Sequence, residues 1–154
     1  MVEMDSEVRW LTAPEEHLWR GWLKLNAELA STLQRELQQD VGLSMPDFEV
    51  LVHLTDNPEG RVRVTELAGL LQWERSRVSH HIKRMERRGL VERMECSMDG
   101  RGAFVVITQQ GRAAIEEAAP GHVMAVRRLM FDVLSEEEKA GLAAVIDKLL
   151  AHGE

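Results

Sequence analysis

The stretch of the chain between residues 74 and 111 combines a basic segment of helical periodicity with two short apolar runs. It reads ERSRVSHHIKRMERRGLVERMECSMDGRGAFVVITQQG. Its first part places apolar side chains at Val78, Ile82 and Met85, a spacing typical of the buried face of a helix. Gly89 suits a left-handed helix end, and the residues after it are rich in β-branched and apolar side chains. The pattern predicts a helix that leads directly into a β-hairpin.

The opposite face of this predicted helix is basic and rich in hydroxyl groups. At about 100° per residue, its outward and flanking positions contain no acidic side chain, and Glu86 falls to one side. These positions are Ser76, Arg77, Ser79, His80, Lys83, Arg84 and Arg87, and Arg75 adds a further basic residue at the start of the helix. A merely solvated helix face, which is the ordinary alternative, usually mixes both signs of charge. The pattern therefore favours a surface that binds a polyanion.

The predicted hairpin has a charged tip at residues 99–102, between strands at 90–95 and 103–107. Its two glycines let the backbone approach a groove of DNA. Arg101 suits a narrow minor groove, because its guanidinium is weakly hydrated and the potential there is strongly negative. Asp99 is close enough in sequence to hold Arg101 by a charge-assisted bond, although an ordinary salt bridge within the hairpin is the alternative. A basic helix joined to such a hairpin is typical of a winged helix that contacts DNA.

The distribution of charge agrees with a local binding surface on an acidic protein. The formal net charge is −7, yet residues 75–101 carry eight basic side chains against four acidic ones. Such a distribution directs a polyanion to one face and repels it elsewhere.

Composition and length restrict the class of protein. The 154 residues are 44% hydrophobic and 29% charged, as in a soluble globular protein with one core-forming domain. No run approaches the roughly 18 apolar residues that span a bilayer, and the N-terminus has no signal-peptide pattern. The single cysteine, Cys96, excludes an internal disulfide. These features predict a cytoplasmic protein without a membrane partner.

A long amphipathic helix is predicted at residues 14–41, starting at Pro14 and two acidic residues. Its apolar positions are Leu18, Trp22, Leu25, Leu29, Leu33 and Leu37. At about 26 residues it far exceeds the mean helix length of about 11–12. Because no other segment offers an apolar stripe of equal length, a second copy of the chain is its expected partner.

Further helices are expected on either side of the basic segment. Ser44 is predicted to cap one that ends near residues 57–60, Thr65 to cap a two-turn helix, and Glu74 to cap the basic helix. Thr108 starts a long helix that Pro120 should kink or interrupt. Its expected apolar positions are Ile115, Ala119, Val123, Val126, Met130 and Val133. A capping box at residues 135–138 starts the last helix, whose apolar positions are Leu142, Val145, Ile146, Leu149 and Leu150.

These motifs together resemble the MarR family of transcriptional regulators over essentially the whole chain. The matching segments are TELA at 65–68, RSRVS at 75–79, MERRGLV at 85–91, and DGRG at 99–102 leading into VVITQQG at 105–111. The resemblance implies one domain over residues 1–154, mainly α with a small β wing. In it, a winged helix-turn-helix at 44–108 is flanked by dimerisation helices at 14–41 and 109–151. It also implies a homodimer on a pseudo-palindromic operator, with the recognition helix in the major groove and the wing arginine in the minor groove.

The leading hypothesis is therefore a homodimeric, sequence-specific repressor of transcription that binds double-stranded DNA. Ser76, Arg77, Ser79 and His80 are expected to approach base edges, since the N-terminal part of a recognition helix usually does so. Arg75, Lys83, Arg84 and Arg87 are expected to hold phosphates. Asp99 and Arg101 complete the expected DNA-binding set at the wing.

The resemblance also implies a small-molecule effector. Many members of the family release DNA when a phenolic or other lipophilic ligand enters a cleft between the dimer helices and the winged helix. Trp19 and Trp22 are candidates to line such a cleft, and a place in the dimer core is the alternative for both.

Other functions have less support in the residues. The six histidines form no pair at i, i+3 or i, i+4, so no metal site is expected. Cys96 lies near the wing, whereas peroxide-sensing family members use a cysteine near the start of the first helix. No nucleophile motif, phosphate-binding glycine loop or carboxylate pair indicates an enzyme or a cofactor. The alternative in another class is a winged helix that binds an acidic protein instead of DNA.

Overall fold

The computed structural model describes residues 7–95 and 102–153, so Cys96, Asp99 and Arg101 lie outside the described residues. The helices are α1 (Ala13–Val41), α2 (Met45–Asp56), α3 (Val64–Leu71), α4 (Arg75–Arg87), α5 (Gln109–Leu129) and α6 (Glu136–His152), with one 3₁₀ turn at Phe131–Val133. The strands are β1 (Arg61–Arg63), β2 (Val91–Glu95) and β3 (Ala103–Ile107). The predicted fold class, mainly α with a small β wing, is confirmed.

The chain divides into two compact units, up to Thr32 and from Leu33 onward. The first unit contains the N-terminal part of α1, whose start is capped reciprocally. Thr12 N donates to Glu15 Oε1 at 2.9 Å, and Glu15 N donates to Thr12 Oγ1 at 3.3 Å. The predicted stripe of this helix is present, but Leu18 is 72% exposed and Trp22 43% exposed. The N-terminal part of the stripe therefore gains little burial within the single chain.

The second unit holds the hydrophobic core. It is formed by α2, α3, α4 and the sheet, together with Leu37 from the end of α1 and Ile115 from α5. The largest fully buried side chains are Leu43, Leu51, Leu54, Leu67, Ile82 and Met85. Val78 is also fully buried, so the predicted inner face of α4 is confirmed. This packing fixes the orientation of α4, and hence of its outer face.

Several helix ends follow the sequence as predicted. Ser44 Oγ accepts from Asp47 N while Asp47 Oδ2 accepts from Ser44 N, which is a complete capping box for α2. Gly89 follows α4 with φ +77°, where a side chain would be strained. Thr108 starts α5, because its Oγ1 accepts from Gly111 N at 2.9 Å.

Two capping predictions are wrong, the predicted interruption of α5 is absent, and α5 ends earlier than predicted. Thr65 does not cap α3, because the chain passes from β1 directly into the helix and Arg63 occupies the N-cap position. Glu74 is at the N-cap of α4, but its side chain makes no capping hydrogen bond. Pro120 does not interrupt α5, which continues on both sides of it and buries Ala118 and Ala125. The helix instead ends at Leu129, so the predicted apolar position Val133 lies in the 3₁₀ turn and is exposed.

The small sheet has the strand order β1-β3-β2, with both pairs antiparallel. Strand β1 was not predicted, since three residues are too few to show a period of two. In β3 the side chains of Ala103, Val105 and Ile107 face the core, and Phe104 pairs across to Arg63 and Met94. The predicted hairpin of β2 and β3 is confirmed, and β1 completes the sheet on its other edge.

The last helix has a different character from the core helices. Its predicted capping box is present, with Glu138 N donating to Ser135 Oγ and Ser135 N donating to Glu138 Oε1. No residue of α6 is buried, and Leu149 and Leu150 are 63% and 66% exposed. Within the described residues, no helix is long and apolar enough to cross a membrane.

Candidate nucleic-acid interface

The turn between α3 and α4 aims the basic helix. Gln72 adopts a left-handed conformation with φ 56° and ψ 40°. The amides of Gln72 and Trp73 donate to the carbonyls of Gly69 and Ala68, at 3.3 and 3.0 Å. This is a Schellman-type end, which stops α3 and redirects the chain within two residues. The two helices therefore form a helix-turn-helix with α4 as the second, recognition helix.

The outer face of α4 carries the residues that the sequence singled out. Seven of the eight predicted helix residues are exposed and Ser79 is half-buried; the exposed ones are Arg75, Ser76, Arg77, His80, Lys83, Arg84 and Arg87. The one acid of the helix, Glu86, accepts from Arg93 N at 2.9 Å and so is engaged beside β2. The structure thus presents the helical part of the predicted set on one exposed surface.

The cations of this surface differ from their neighbours in how they are paired. Arg88 binds Asp47 and the Gly42 carbonyl, and Arg93 binds Glu95. In contrast, within residues 7–95 and 102–153 no hydrogen bond or ion pair is formed by the side chains of Arg75, Arg77, Lys83, Arg84 or Arg87. The charge of the outer face is therefore uncompensated within the described chain, which is the condition for binding phosphates.

Arg77 makes one contact of another kind. Its guanidinium carbon lies 3.9 Å from the ring centroid of Trp73. The indole in turn meets the His81 imidazole edge-on, with centroids 5.5 Å apart and an interplanar angle of 87°. Trp73 is half-buried against the core, so one end of the surface rests on a fixed aromatic ring.

His81 leads from this ring to a buried carboxylate. It is 8% exposed, and its Nε2 lies 3.0 Å from Oδ1 of Asp47, a close polar contact rather than an aligned hydrogen bond. Arg88 Nη1 donates to Asp47 Oδ2 at 2.7 Å. Burial alone raises the pKa of Asp47, but the contacts from His81, Ser44 and Arg88 outweigh it and hold that pKa well below its usual range. The carboxylate is thus charged and ties α4 to α2.

Sequence reasoning missed this cluster. The helical angle does place His81 beside Val78 and Met85 on the inner face, and that signal was available. Nothing in the sequence, however, indicated Asp47 and Arg88 as partners, since they are 41 residues apart.

The remaining predicted site residues lie elsewhere. Asp99 and Arg101 of the wing are outside the described residues. Trp19 is 53% exposed in the first unit and lines a groove of ≈ 540 Å³ there, together with Trp10, Leu11, Glu16, Arg20 and Leu23. Trp22 is exposed but does not line that groove. In the part of the chain that the structure describes, no group of three or more metal-ligating side chains occurs.

A second cleft lies directly beside α4 in the other unit. It measures ≈ 370 Å³ and joins aromatic and apolar walls to cationic ones. Its lining residues are Gln34, Ser44, Pro46, Trp73, Arg77, His80, His81 and Arg84.

Comparison with known proteins identifies the fold and the family. Residues 41–102 match the profile of the MarR family. The crystal structure of Sco3205, a MarR family transcriptional regulator from Streptomyces coelicolor in complex with DNA, is 39% identical. It aligns over 97% of this chain and 92% of its own, with a TM-score of 0.90. AbsC, a MarR family regulator from the same organism, is 38% identical over 94% of this chain and 97% of its own, with a TM-score of 0.89.

A curated relative points the same way. The HTH-type transcriptional repressor YetL of Bacillus subtilis (strain 168) is 31% identical over 98 residues, which are 64% of this chain and 58% of YetL. The chain therefore spans less than two thirds of the length of that relative, whereas it spans nearly all of Sco3205. With a winged helix of this geometry and such similarity along its length, the chain belongs to the MarR family of DNA-binding transcriptional regulators.

Proposed function

We propose that this regulator is a homodimeric repressor that binds a pseudo-palindromic operator through α4 and the wing. The observation that carries the proposal is the outer face of α4, where five cations have no carboxylate partner among the described residues. Phosphate contacts supply much of the affinity of such a surface, while base contacts supply its specificity. YetL, a relative with this fold region, is named as a repressor.

The proposed roles follow position along the helix. Ser76, Arg77, Ser79 and His80, near the N-terminal end of α4, approach base edges in the major groove. Arg75, Lys83, Arg84 and Arg87 hold phosphates on either side. Arg101 enters the minor groove and Asp99 orients it; both assignments rest on the sequence alone.

A second copy of the chain covers the exposed apolar helix faces. Leu18 and Trp22 of α1, and Leu149 and Leu150 of α6, are between 43% and 72% exposed in the single chain. Contiguous exposed apolar faces usually mark an interface in a soluble protein. The helices at 14–41 and 109–151 are therefore the dimerisation elements of one domain over residues 1–154, around the winged helix-turn-helix at 44–108. Two such winged helices place their recognition helices about one turn of DNA apart.

A lipophilic or phenolic ligand releases the DNA. The cleft beside α4 supports this part of the proposal, because Trp73 and Pro46 offer apolar contacts to an aromatic ring, and Arg77 and Arg84 offer charge to a phenolate. Both arginines belong to the proposed DNA surface, so a bound ligand competes with DNA for them. The groove at Trp19 is the other candidate, if it is not filled by the partner copy. The regulator acts in the cytoplasm, where its DNA lies.

Fluorescence anisotropy tests the proposal on the duplex upstream of the protein's own coding region. A shuffled duplex of equal length serves as the control, and both are titrated at low and near-physiological salt. We expect tight binding to the native duplex that survives the higher salt. Inserting five base pairs between the half-sites should lower that affinity. A matched variant, Arg127→Ala, removes a cation outside α4 and should bind normally, whereas Arg84→Ala should bind weakly.

Weak binding to both duplexes that disappears with salt would show only counterion release on that DNA, and the proposal is contradicted if the protein binds no duplex specifically. The upstream duplex is one choice of DNA among many, so a duplex selected by the protein from a random pool replaces it if the first binds weakly. Failure to select any duplex would favour the winged helix as a module that binds an acidic protein.

A further inference from the structure

Trp73 lies two residues before the recognition helix, and the DNA-binding roles proposed above do not include it, although it forms an apolar wall of the proposed ligand cleft. Its backbone is held in place by a hydrogen bond, because its amide donates to Ala68 O at 3.0 Å in the turn that ends α3. Its side chain is half-buried and packs against the hydrophobic core. The indole therefore has less conformational freedom than the long, exposed side chains on the outer face of α4.

One face of the Trp73 ring supports Arg77. The guanidinium carbon lies 3.9 Å from the ring centroid, which is the geometry of a cation–π contact. A guanidinium that stacks flat on an aromatic ring keeps the N–H donors in its plane free. Those in-plane donors are the groups that bind a guanine edge in the major groove or a phosphate. Stacking on Trp73 is thus compatible with DNA binding by Arg77.

The Trp73 ring also contacts His81, which is itself held by a buried carboxylate. His81 meets it edge-on at 5.5 Å between centroids, and His81 Nε2 contacts the buried Asp47 at 3.0 Å. Asp47 is fixed by Ser44 N at 3.0 Å and by Arg88 at 2.7 Å. A continuous series of contacts therefore runs from the N-terminus of α2 to the guanidinium of Arg77, and every member before Arg77 is buried, half-buried or tied by a hydrogen bond.

We infer that Trp73 is a positioning residue that holds the Arg77 guanidinium in place at the entry of α4 into DNA, and so sets base preference at the position that Arg77 reads. The inference rests on the proposed sequence-specific binding. A free arginine side chain loses rotamer entropy when it binds, and a guanidinium already stacked on a fixed ring loses less. A leucine at position 73 fills part of the same space but offers no π face. A lysine at position 77 keeps the charge but has no planar group to stack.

A double-mutant cycle on DNA tests the inference. The wild type first selects its preferred duplex from a random pool. Affinities of Trp73→Leu, Arg77→Ala and the double variant are then measured on that duplex and on one with each base pair changed in turn. Trp73→Phe keeps a smaller ring and gives an intermediate case, and Leu71→Ala is the matched control, because it removes another half-buried side chain from the end of α3 without altering the ring.

We expect Trp73→Leu to weaken binding to the selected duplex by about 3- to 12-fold, the range that corresponds to immobilising one rotamer-rich side chain on binding. The loss should be concentrated at the base pair where Arg77→Ala also loses selectivity. In the Arg77→Ala background the same Trp73→Leu change should alter affinity by less than about twofold, since the contact is already absent. Leu71→Ala should lower thermal stability without changing base preference, and Arg77→Lys should reproduce most of the Trp73→Leu loss.

Two results would overturn the inference. Additive losses in the cycle, or an equal loss on every duplex, would give Trp73 a structural role only. If the Trp73→Leu variant does not fold, a second double-mutant cycle with Trp73→Phe and Arg77→Lys replaces the first. Additive losses of affinity in that cycle would also overturn the inference. If the wild type selects no duplex at all, the proposed function fails first and the inference fails with it, so the two failures can be told apart.

Discussion

The winged helix and the terminal helices use the same helical periodicity of apolar residues to opposite effect. In α2, Leu51 and Leu54 are fully buried within the chain. In α6, Val145 and Leu149 recur at helical spacing, yet they are 54% and 63% exposed and no residue of that helix is buried. A periodic stripe therefore establishes that a helix has an apolar face, but not which molecule covers that face.

The difference separates a part that is complete in one chain from a part that is not. Full burial of a leucine contributes about 1.5–3 kcal/mol, which α2 gains on folding and α6 does not. The terminal helices are nevertheless well capped, by Thr12 and Glu15 at one end and by Ser135 and Glu138 in α6. Their local sequence specifies a helix, and the second copy proposed above supplies the missing burial.

The largest effect is expected in the core of the winged helix. Leu54→Ala should lower the free energy of unfolding by about 2–5 kcal/mol, because it opens a cavity in a fully packed site. Leu70→Ala is the matched control, since Leu70 lies in α3 of the same unit but is 49% exposed, and should cost less than about 0.5 kcal/mol. Urea unfolding followed by circular dichroism measures both. Equal effects would contradict the contrast between buried and exposed leucines.

The next effect concerns the terminal helices. Leu149→Lys combined with Leu150→Lys should raise the dissociation constant of the proposed dimer by about a hundredfold or more, because two charges replace apolar surface that the second copy is proposed to cover. The capping box at Ser135 keeps α6 helical, so circular dichroism should change little. Light scattering over a range of concentrations measures the shift, with Lys148→Ala as the control on the same helix. An unchanged molar mass in the double variant would mean that α6 is not part of the interface.

The carboxylate that ties α4 to α2 gives a dependence on pH. The pKa of Asp47 is held below its usual range, so its contribution to stability is fully present above the unfolded value of about 3.9 and is lost as pH falls below it. We expect stability to fall by about 2 kcal/mol on acidification in that window. Asp47→Asn should be less stable at pH 7 and should show a shallower fall between pH 4 and 2. Parallel pH profiles for the two proteins would contradict this role of Asp47.

The smallest effect should come from the turn before α4. Gln72 has a positive φ of 56°, a conformation that costs a residue with a side chain about 1–2 kcal/mol. Part of the gain from glycine is offset by its greater freedom in the unfolded chain, so Gln72→Gly should stabilise the protein by about 0.5–1 kcal/mol. Gln72→Ala keeps the strain and should be nearly neutral. Differential scanning calorimetry measures both, and the molar mass should stay the same, because the turn lies far from the proposed interface in sequence.

Sequence reasoning predicted best where the determining contacts are local. The inner face of α4, the capping boxes at Ser44 and Ser135, and the glycine after α4 all depend on residues within four positions of each other. Position 65 shows the limit of local rules, because Thr65 is a good capping residue and yet the preceding strand passes directly into α3. The strand itself was missed because only its pairing with β3 defines it.

Contacts between side chains that are distant along the chain could not be predicted from the sequence. The outer face of α4 was predicted residue by residue, but the contacts that hold Arg77 come from Trp73 and, behind it, from His81 and Asp47. Asp47 was recognised only as part of a helix cap, and its second role appears only when α2 and α4 are packed together. The residues on an exposed helix face can be predicted from the sequence of that helix alone. The residues that support this face from distant parts of the chain can be identified only from the folded structure.

Native mass spectrometry of the protein on its selected duplex tests the central claim most directly, because it measures stoichiometry and specificity together. The duplex is the one that the wild type selects from a random pool, and a shuffled duplex of equal mass competes in the same solution. We expect two chains of 17.5 kDa on each selected duplex and almost none on the competitor. One chain per duplex, or equal occupancy of the two duplexes, would contradict a dimeric, sequence-specific regulator.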